Sequence, residues 1–222
     1  MKNRSYIRIL ISLIFIIVLI SGASILTSCK ANKPVQLPTS EIKEYKGKPL
    51  SPISAVLDLS ISGPQTVNIK TYTLDIFGLV QKPINLTYDQ ILSNKKYTKE
   101  VILNCVTGWS ADILWEGILL EDLFKSAEVK AEANTVIFYA VDGYTTSLPL
   151  ETIINKKIMI AYKMNGVVLS AQNGYPFILV AEEKLGYKWI KWIKRIELSA
   201  DKNYKGYWES RGYSNEADVN IR

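Results

Sequence analysis

Apolar and polar residues alternate through residues 71–80 (TYTLDIFGLV), the two-residue period of a half-buried strand. Gln81-Lys82-Pro83 then turns the chain, and Thr87 with Gln90 three residues later forms a capping-box pattern that opens a short helix ending near Leu92. Residues 99–106 read as a strand that carries Cys105 near its end, and 107–110 as a loop. Leu119, Leu120, Leu123 and Phe124 recur at helical spacing within LLEDLFKSA, which predicts a core-facing helix over 119–127. Residues 135–141 and 144–148 are strands about an Asp142-Gly143 turn, and 150–156 form a further short helix. Residues 158–163 and 167–169 flank Asn165-Gly166, the strongest short hairpin signal in the chain. Strands over 175–181 and 193–198, separated by a turn at Leu185-Gly186, complete the pattern. Many short strands with a few short helices define an α+β domain with a mixed sheet.

The first thirty residues follow a different rule. Lys2, Arg4 and Arg8 precede an almost unbroken apolar run over 9–20, and a small-residue stretch follows. That is the layout of a secretory signal. It ends in Leu26-Thr27-Ser28-Cys29, which resembles the bacterial lipobox and implies cleavage before Cys29 and lipidation of its sulfur. Acyl chains hold a protein by burying methylenes at about 0.8 kcal/mol each. Residues 29–50, with Pro34, Pro38, Ser and Lys and little apolar periodicity, read as a lipidated tether, and 51–222 as the folded domain. The expected location is therefore extracytoplasmic, anchored to the cell membrane.

Composition narrows the chemistry. The 222 residues carry 27 basic and 21 acidic side chains, a net charge of +6. The three cations of the signal account for half of that excess, and the remainder gives no nucleic-acid signature. There is no histidine, which excludes a Ser-His-Asp triad, a Cys-His pair and every His-containing zinc site. Chemistry here falls to thiolate, carboxylate, Lys, Tyr, backbone groups or a bound cofactor. With Cys29 lipidated, Cys105 has no disulfide partner. On position alone Cys105 is either a small buried hydrophobe or a thiolate ligand whose co-ligands come from a cofactor.

The surrounding residues bear on that choice. Leu103-Asn104-Cys105-Val106-Thr107-Gly108-Trp109-Ser110, followed by Trp115-Glu116-Gly117, resembles the cysteine loop of the molybdopterin-binding domain of the sulfite oxidase family. Asp142-Gly143-Tyr144, Asn173-Gly174-Tyr175-Pro176, Gly186-Tyr187-Lys188, residues 191–198 (KWIKRIEL) and Gly206-Tyr207-Trp208-Glu209 follow in the family's order. The resemblance spans roughly residues 70–213 and is closest to the haem-free, single-domain branch that includes the periplasmic methionine sulfoxide reductase catalytic subunit. It implies a sulfite-oxidase-type molybdopterin-binding fold and a molybdenum–molybdopterin cofactor. It implies Cys105 as the metal ligand, Asn173 as a cofactor contact, and Trp189, Ile190 and Lys191 as the cradle of the pterin phosphate. Tyr144 is an acid–base candidate because it borders the site. The implied reaction is two-electron oxygen-atom transfer, with electrons from a separate membrane partner because no haem motif is present.

Three departures stand beside this resemblance. Ile178 occupies the place of a family arginine that contacts the cofactor, and losing a charge-assisted hydrogen bond costs about 1.5–3 kcal/mol. Lys188, Lys194 and Arg195 are the nearby cations that would compensate. The n-region lacks the Arg-Arg pair of the export route that carries folded, cofactor-loaded proteins. Missing, too, is an arginine-rich anion pocket of the kind sulfite requires, which favours a neutral S- or N-oxide. The alternative is a cofactor-free binding lipoprotein that retains the fold. A thiol-redox protein is disfavoured because Cys105 has no second cysteine to resolve a mixed disulfide.

Overall fold

Twelve strands, three short α-helices and three 3-10 turns make up the described part of the chain, residues 40–219 of a computed structural model. The signal segment, Cys29 and the tether as far as residue 39 lie outside the described residues. Residues 40–50, read from sequence as the last part of the tether, contain the hairpin β1 (Glu44–Tyr45) and β2 (Lys48–Pro49). They are tied to the domain by the Ile42 N–H on the Asn165 carbonyl at 2.8 Å.

Two five-stranded sheets carry the core. The first has the order β4-β3-β12-β7-β8, from β3 (Thr73–Gly78), β4 (Ile84–Thr87), β7 (Thr135–Ala140), β8 (Thr145–Pro149) and β12 (Ile193–Ser199). It is mixed, because β12 runs parallel to β3 and antiparallel to β7. The second has the order β10-β9-β6-β5, from β5 (Tyr97–Asn104), β6 (Ser110–Leu119), β9 (Met159–Met164) and β10 (Val167–Val168). Its fifth strand, β11 (Ile178–Val180), pairs the Met159 end of β9, while β10 pairs the Met164 end.

Local chemistry explains most boundaries. Helix α1 (Tyr88–Leu92) opens on the expected capping box: the Gln90 N–H donates to Thr87 Oγ1 at 3.3 Å, and the Thr87 N–H donates to Gln90 Oε1 at 2.8 Å. Helix α2 (Leu120–Ala127) buries Leu120, Leu123, Phe124 and Ala127, the i, i+3, i+4, i+7 stripe of a core-facing helix. Helix α3 (Leu150–Asn155) matches the expected short helix after β8. The Asn165-Gly166 turn has φ of +45° and +78°, the signature of a type I′ hairpin. Asn165 is fully buried; its Oδ1 accepts the Leu114 N–H at 3.0 Å and its Nδ2 donates to the Ser51 carbonyl at 2.9 Å.

The ten-residue β6 is the one long element that the sequence pattern did not announce. It lies between β5 and β9 and buries Ala111, Ile113, Leu114, Trp115 and Gly117–Leu119, so its side chains are covered on both faces. The register against β9 shifts between Glu116 and Gly117. A Cβ on Gly117 would lie 2.2 Å from the Ile160 carbonyl oxygen, so only glycine permits that approach.

Candidate functional site

The turn after β5 sets the thiol. The Cys105 N–H donates to the Trp109 carbonyl at 2.9 Å, and the Gly108 N–H donates to the Cys105 carbonyl at 3.1 Å. Gly108 has a φ of +95°, which a side-chain-bearing residue adopts only with strain. Cys105 is partly exposed, and its Sγ lies 3.2 Å from Thr107 Oγ1. It faces a cleft of about 530 Å³ whose walls come from six parts of the chain: the cysteine loop, the strap around Asp58, the Asp142–Tyr144 turn, Ile178, the segment 186–192, and the C-terminal aromatics Trp208 and Tyr213.

Four of the other expected residues meet Cys105 here. Tyr144, Trp189, Ile190 and Lys191 all line the cleft. Their hydrogen bonds differ from expectation, however. The Trp189 N–H is spent on the Gly186 carbonyl at 3.0 Å and the Ile190 N–H on the Lys188 carbonyl at 3.1 Å. The Lys191 N–H makes no hydrogen bond to the described residues. Of the three residues expected to cradle the pterin phosphate, Lys191 alone keeps both an unspent amide N–H and a cation.

Asn173 does not line the cleft. It is buried in the turn 170–175, where its Oδ1 accepts the Ser170 hydroxyl at 2.7 Å. That turn supports Lys191 from behind: Lys191 Nζ donates to the Gln172 carbonyl at 2.8 Å, and a Cβ on Gly174 would sit 3.0 Å from Lys191 Cβ. The next residue, Trp192, has a φ of +52°, a left-handed conformation that costs a bulky residue about 1–3 kcal/mol. Its indole N–H holds it there through the Ala171 carbonyl at 2.7 Å.

Ile178 faces the same cleft, so an aliphatic side chain stands where the family arginine was expected. None of the three compensating cations joins it. Lys188 is fully buried against Glu209, Lys194 is exposed on β12, and the Arg195 guanidinium stacks on Phe77 at 4.4 Å and Tyr139 at 5.1 Å. Lys191 is the sole Lys or Arg among the described residues that line the cleft, and Asp58 and Asp142 are its acids.

The hydroxyl of Tyr144 donates to the Tyr187 carbonyl at 2.5 Å. Burial first, and then the charges of Glu209 and Asp142 with neighbouring tyrosines, push its pKa far above the ordinary phenol range. Tyr144 thus stays protonated, and it can offer lone pairs to a ligand but cannot act as a base near neutral pH.

Trp109 adds a residue whose role was not legible in the sequence. Its indole N–H is buried with no hydrogen-bond partner among the described residues, although Trp109 lines the cleft four residues after Cys105. A buried donor left unpaired costs about 1–3 kcal/mol, so a bound acceptor here recovers that energy. In cofactor-free protein, Trp109→Phe should leave the melting temperature unchanged or slightly raised, because it deletes the orphan donor. The same substitution should weaken retention of a bound group. A drop of several degrees in the cofactor-free variant would mean that the indole N–H is already satisfied.

The thiol, the orphan donor and the single cationic wall suit a group that carries soft-metal coordination sites, acceptor atoms and a phosphate. Such a constellation on an α+β scaffold without histidine defines a cofactor-binding oxidoreductase. The family model "Oxidoreductase molybdopterin binding domain" matches residues 61–208, two thirds of the sequence, and the chain belongs to that family of enzymes. It is 33% identical over 156 residues to the uncharacterized oxidoreductase YuiH of Bacillus subtilis, covering 70% of this chain and 78% of that protein. It is 34% identical over 152 residues to the protein-methionine-sulfoxide reductase catalytic subunit MsrP of Gluconobacter oxydans, covering 60% of this chain but 49% of that one. Among solved structures, the sulfane dehydrogenase SoxCD of Paracoccus pantotrophus superposes with a TM-score of 0.63 at 22% identity, over 89% of this chain and 61% of that one. This likeness shows the sulfite-oxidase-type fold, and family membership implies a molybdenum–molybdopterin cofactor.

Proposed function

We propose that the protein is a molybdenum-dependent oxygen-atom transferase that acts on a neutral S- or N-oxide. Cys105 would be the protein ligand to the metal, Lys191 would hold the pterin phosphate, and the Trp109 N–H would donate to an acceptor beside the metal. When bound, the cofactor would supply the two-electron redox couple for oxygen-atom transfer. Reduction of a sulfoxide consumes two electrons and two protons and yields a sulfide and water. The electrons would come from a separate membrane partner, and lipidation at Cys29 would keep the enzyme beside that partner outside the cytoplasm.

The observation that carries the substrate class is the wall of the cleft. It presents no arginine, a single lysine already ion-paired to Asp58, and a second acid at Asp142. An anion such as sulfite needs cations beside the metal, and with Lys191 given to the pterin phosphate no lining cation among the described residues is left for it. A neutral oxide meets aromatic surface from Trp109, Tyr144, Trp208 and Tyr213 instead. The relatedness to MsrP, at half of that protein's length, supports the sulfoxide class.

The test uses protein purified from its native membranes. Molybdenum should be near stoichiometric. With a reduced viologen as electron source, methionine sulfoxide or a small N-oxide should be turned over at least about tenfold faster than sulfite is oxidised with an artificial acceptor, a discrimination of about 1.4 kcal/mol. Faster turnover of sulfite would overturn the assignment of substrate class.

A further inference from the structure

Lys191 Nζ donates to Asp58 Oδ1 at 2.8 Å, across 133 residues of chain, and both side chains are about 15% exposed. The carboxylate that faces the one cation among the described residues of the cleft therefore comes from the protein itself. Burial works to raise the Asp58 carboxyl, but hydrogen bonding and charge from Lys191, with help from Ser60, outweigh it and hold it below the usual carboxylate range. Asp58 is ionised at neutral pH.

The strap that carries Asp58 is unusual in two respects. Residues 57–67 make no backbone–backbone hydrogen bond to any described residue. Leu57 and Leu59 line the cleft yet remain 52% and 54% exposed. Polar ties within the strap are local, such as Ser60 N–H and Oγ on the Asp58 carboxylate at 3.2 and 3.1 Å. No ladder has to be broken to move it, and the ion pair to Lys191 is its polar link to the opposite wall.

We propose that Asp58 is a specificity-determining residue of the cleft, a built-in carboxylate occupant of the anion subsite at Lys191 that yields only to a dianionic phosphate group. The proposal rests on the reading of Lys191 as the holder of the pterin phosphate. A monoanion offers Lys191 no more charge than Asp58 does and lacks the advantage of being tethered. A phosphate monoester carries a larger charge and three acceptor oxygens, and it can also accept the Lys191 N–H, which Asp58 leaves unpaired. On exchange, Asp58 leaves the wall and the strap is released.

The apparent affinity for an anion is reduced by the fraction of molecules in which Lys191 is free, so removing the Asp58 charge should tighten phosphate binding by about tenfold. The experiment uses the full-length chain made in cells that do not synthesise the pterin, titrated with inorganic phosphate and followed by phosphorus NMR line broadening. Asp58→Asn should bind phosphate about tenfold more tightly than wild type. Lys191→Gln should lose that binding in either background, and acetate at the same concentration should have no effect. Phosphate should also speed chymotryptic cleavage at Leu57 and Leu59 in wild type, while Asp58→Asn should be cleaved fast from the outset. Unchanged phosphate affinity in Asp58→Asn, or binding that survives Lys191→Gln, would overturn the proposal. Molybdenum content of the native protein separates the two readings. Molybdenum present with unchanged Asp58→Asn affinity removes only the role of Asp58. Tightened affinity in a chain that never carries molybdenum keeps that role and removes the molybdopterin assignment.

Discussion

Cys105→Ser should strip the protein of molybdenum while leaving its fold intact. A serine hydroxyl stays protonated at neutral pH, so it supplies neither the negative charge nor the sulfur donation of a thiolate ligand. Outer-shell changes at metal sites already cost about 10–100-fold in affinity or activity, so removal of the direct ligand should lower turnover by at least about 100-fold. Molybdenum should fall to background in the same preparation. The architecture of the loop makes the experiment clean. Its closing bonds are backbone bonds from Cys105 to Trp109 and from Gly108 to Cys105, which serine preserves, and the thiol's hydrogen-bond partner among the described residues is the Thr107 hydroxyl at 3.2 Å. The change in stability should therefore stay within about 1 kcal/mol. Molybdenum analysis beside a thermal melt checks both halves. Full molybdenum retention together with unchanged turnover in the serine variant would remove Cys105 from the metal, and a metal-free wild type would favour the cofactor-free binding lipoprotein.

The parts of the fold that could be read in the sequence are those whose signal is local. The Thr87–Gln90 capping box, the α2 stripe and the Asn165-Gly166 turn each depend on residues within a few positions of one another, and each took its expected form. Strand β6 escaped because it is covered on both faces: a two-sided strand loses the alternation that marks a half-buried one. The strap shows the converse. Leu57, Leu59 and Ile61 alternate with polar residues as in a strand, yet the segment pairs with no strand among the described residues and leaves Leu57 and Leu59 half exposed. The metal-ligand candidate and the residue 189–191 segment were placed in one cleft, as the motif order implies, but their hydrogen bonding was not legible. Whether a backbone N–H is free depends on the 3-10 turn Gly186–Lys188, whose carbonyls consume those of Trp189 and Ile190. The occupancy of Lys191 depends on Asp58, and no local pattern encodes a contact across 133 residues.

Loss of the Lys188 ammonium should destabilise the domain by about 3–5 kcal/mol, the usual cost of leaving one partner of a buried ion pair without the other. Lys188 and Glu209 are both fully buried, with Lys188 Nζ 2.5 Å from Glu209 Oε1 and 3.0 Å from the Ser147 carbonyl. In Lys188→Met, the Thr146 hydroxyl at 2.7 Å is the remaining donor to that carboxylate among the described residues, where its second oxygen already has no partner. For a domain of this size a loss of that magnitude lowers the melting temperature by about 10 °C, at about 2–4 °C for each kcal/mol. Lys188→Met/Glu209→Gln should recover much of the loss, because a neutral pair carries no uncompensated charge. The pair also bears on the cleft. Lys188 follows Tyr187, which lines one wall, and Glu209 follows Trp208, which lines another, so the ion pair joins the two beneath the cleft. The single variant should therefore loosen the aromatic wall as well as the fold, seen as raised KM for a neutral oxide at a temperature where the protein remains folded. A melting temperature within 2 °C of wild type, taken at about 2–4 °C for each kcal/mol, would show that Glu209 is satisfied without the lysine and that the tail is held by aromatic packing alone.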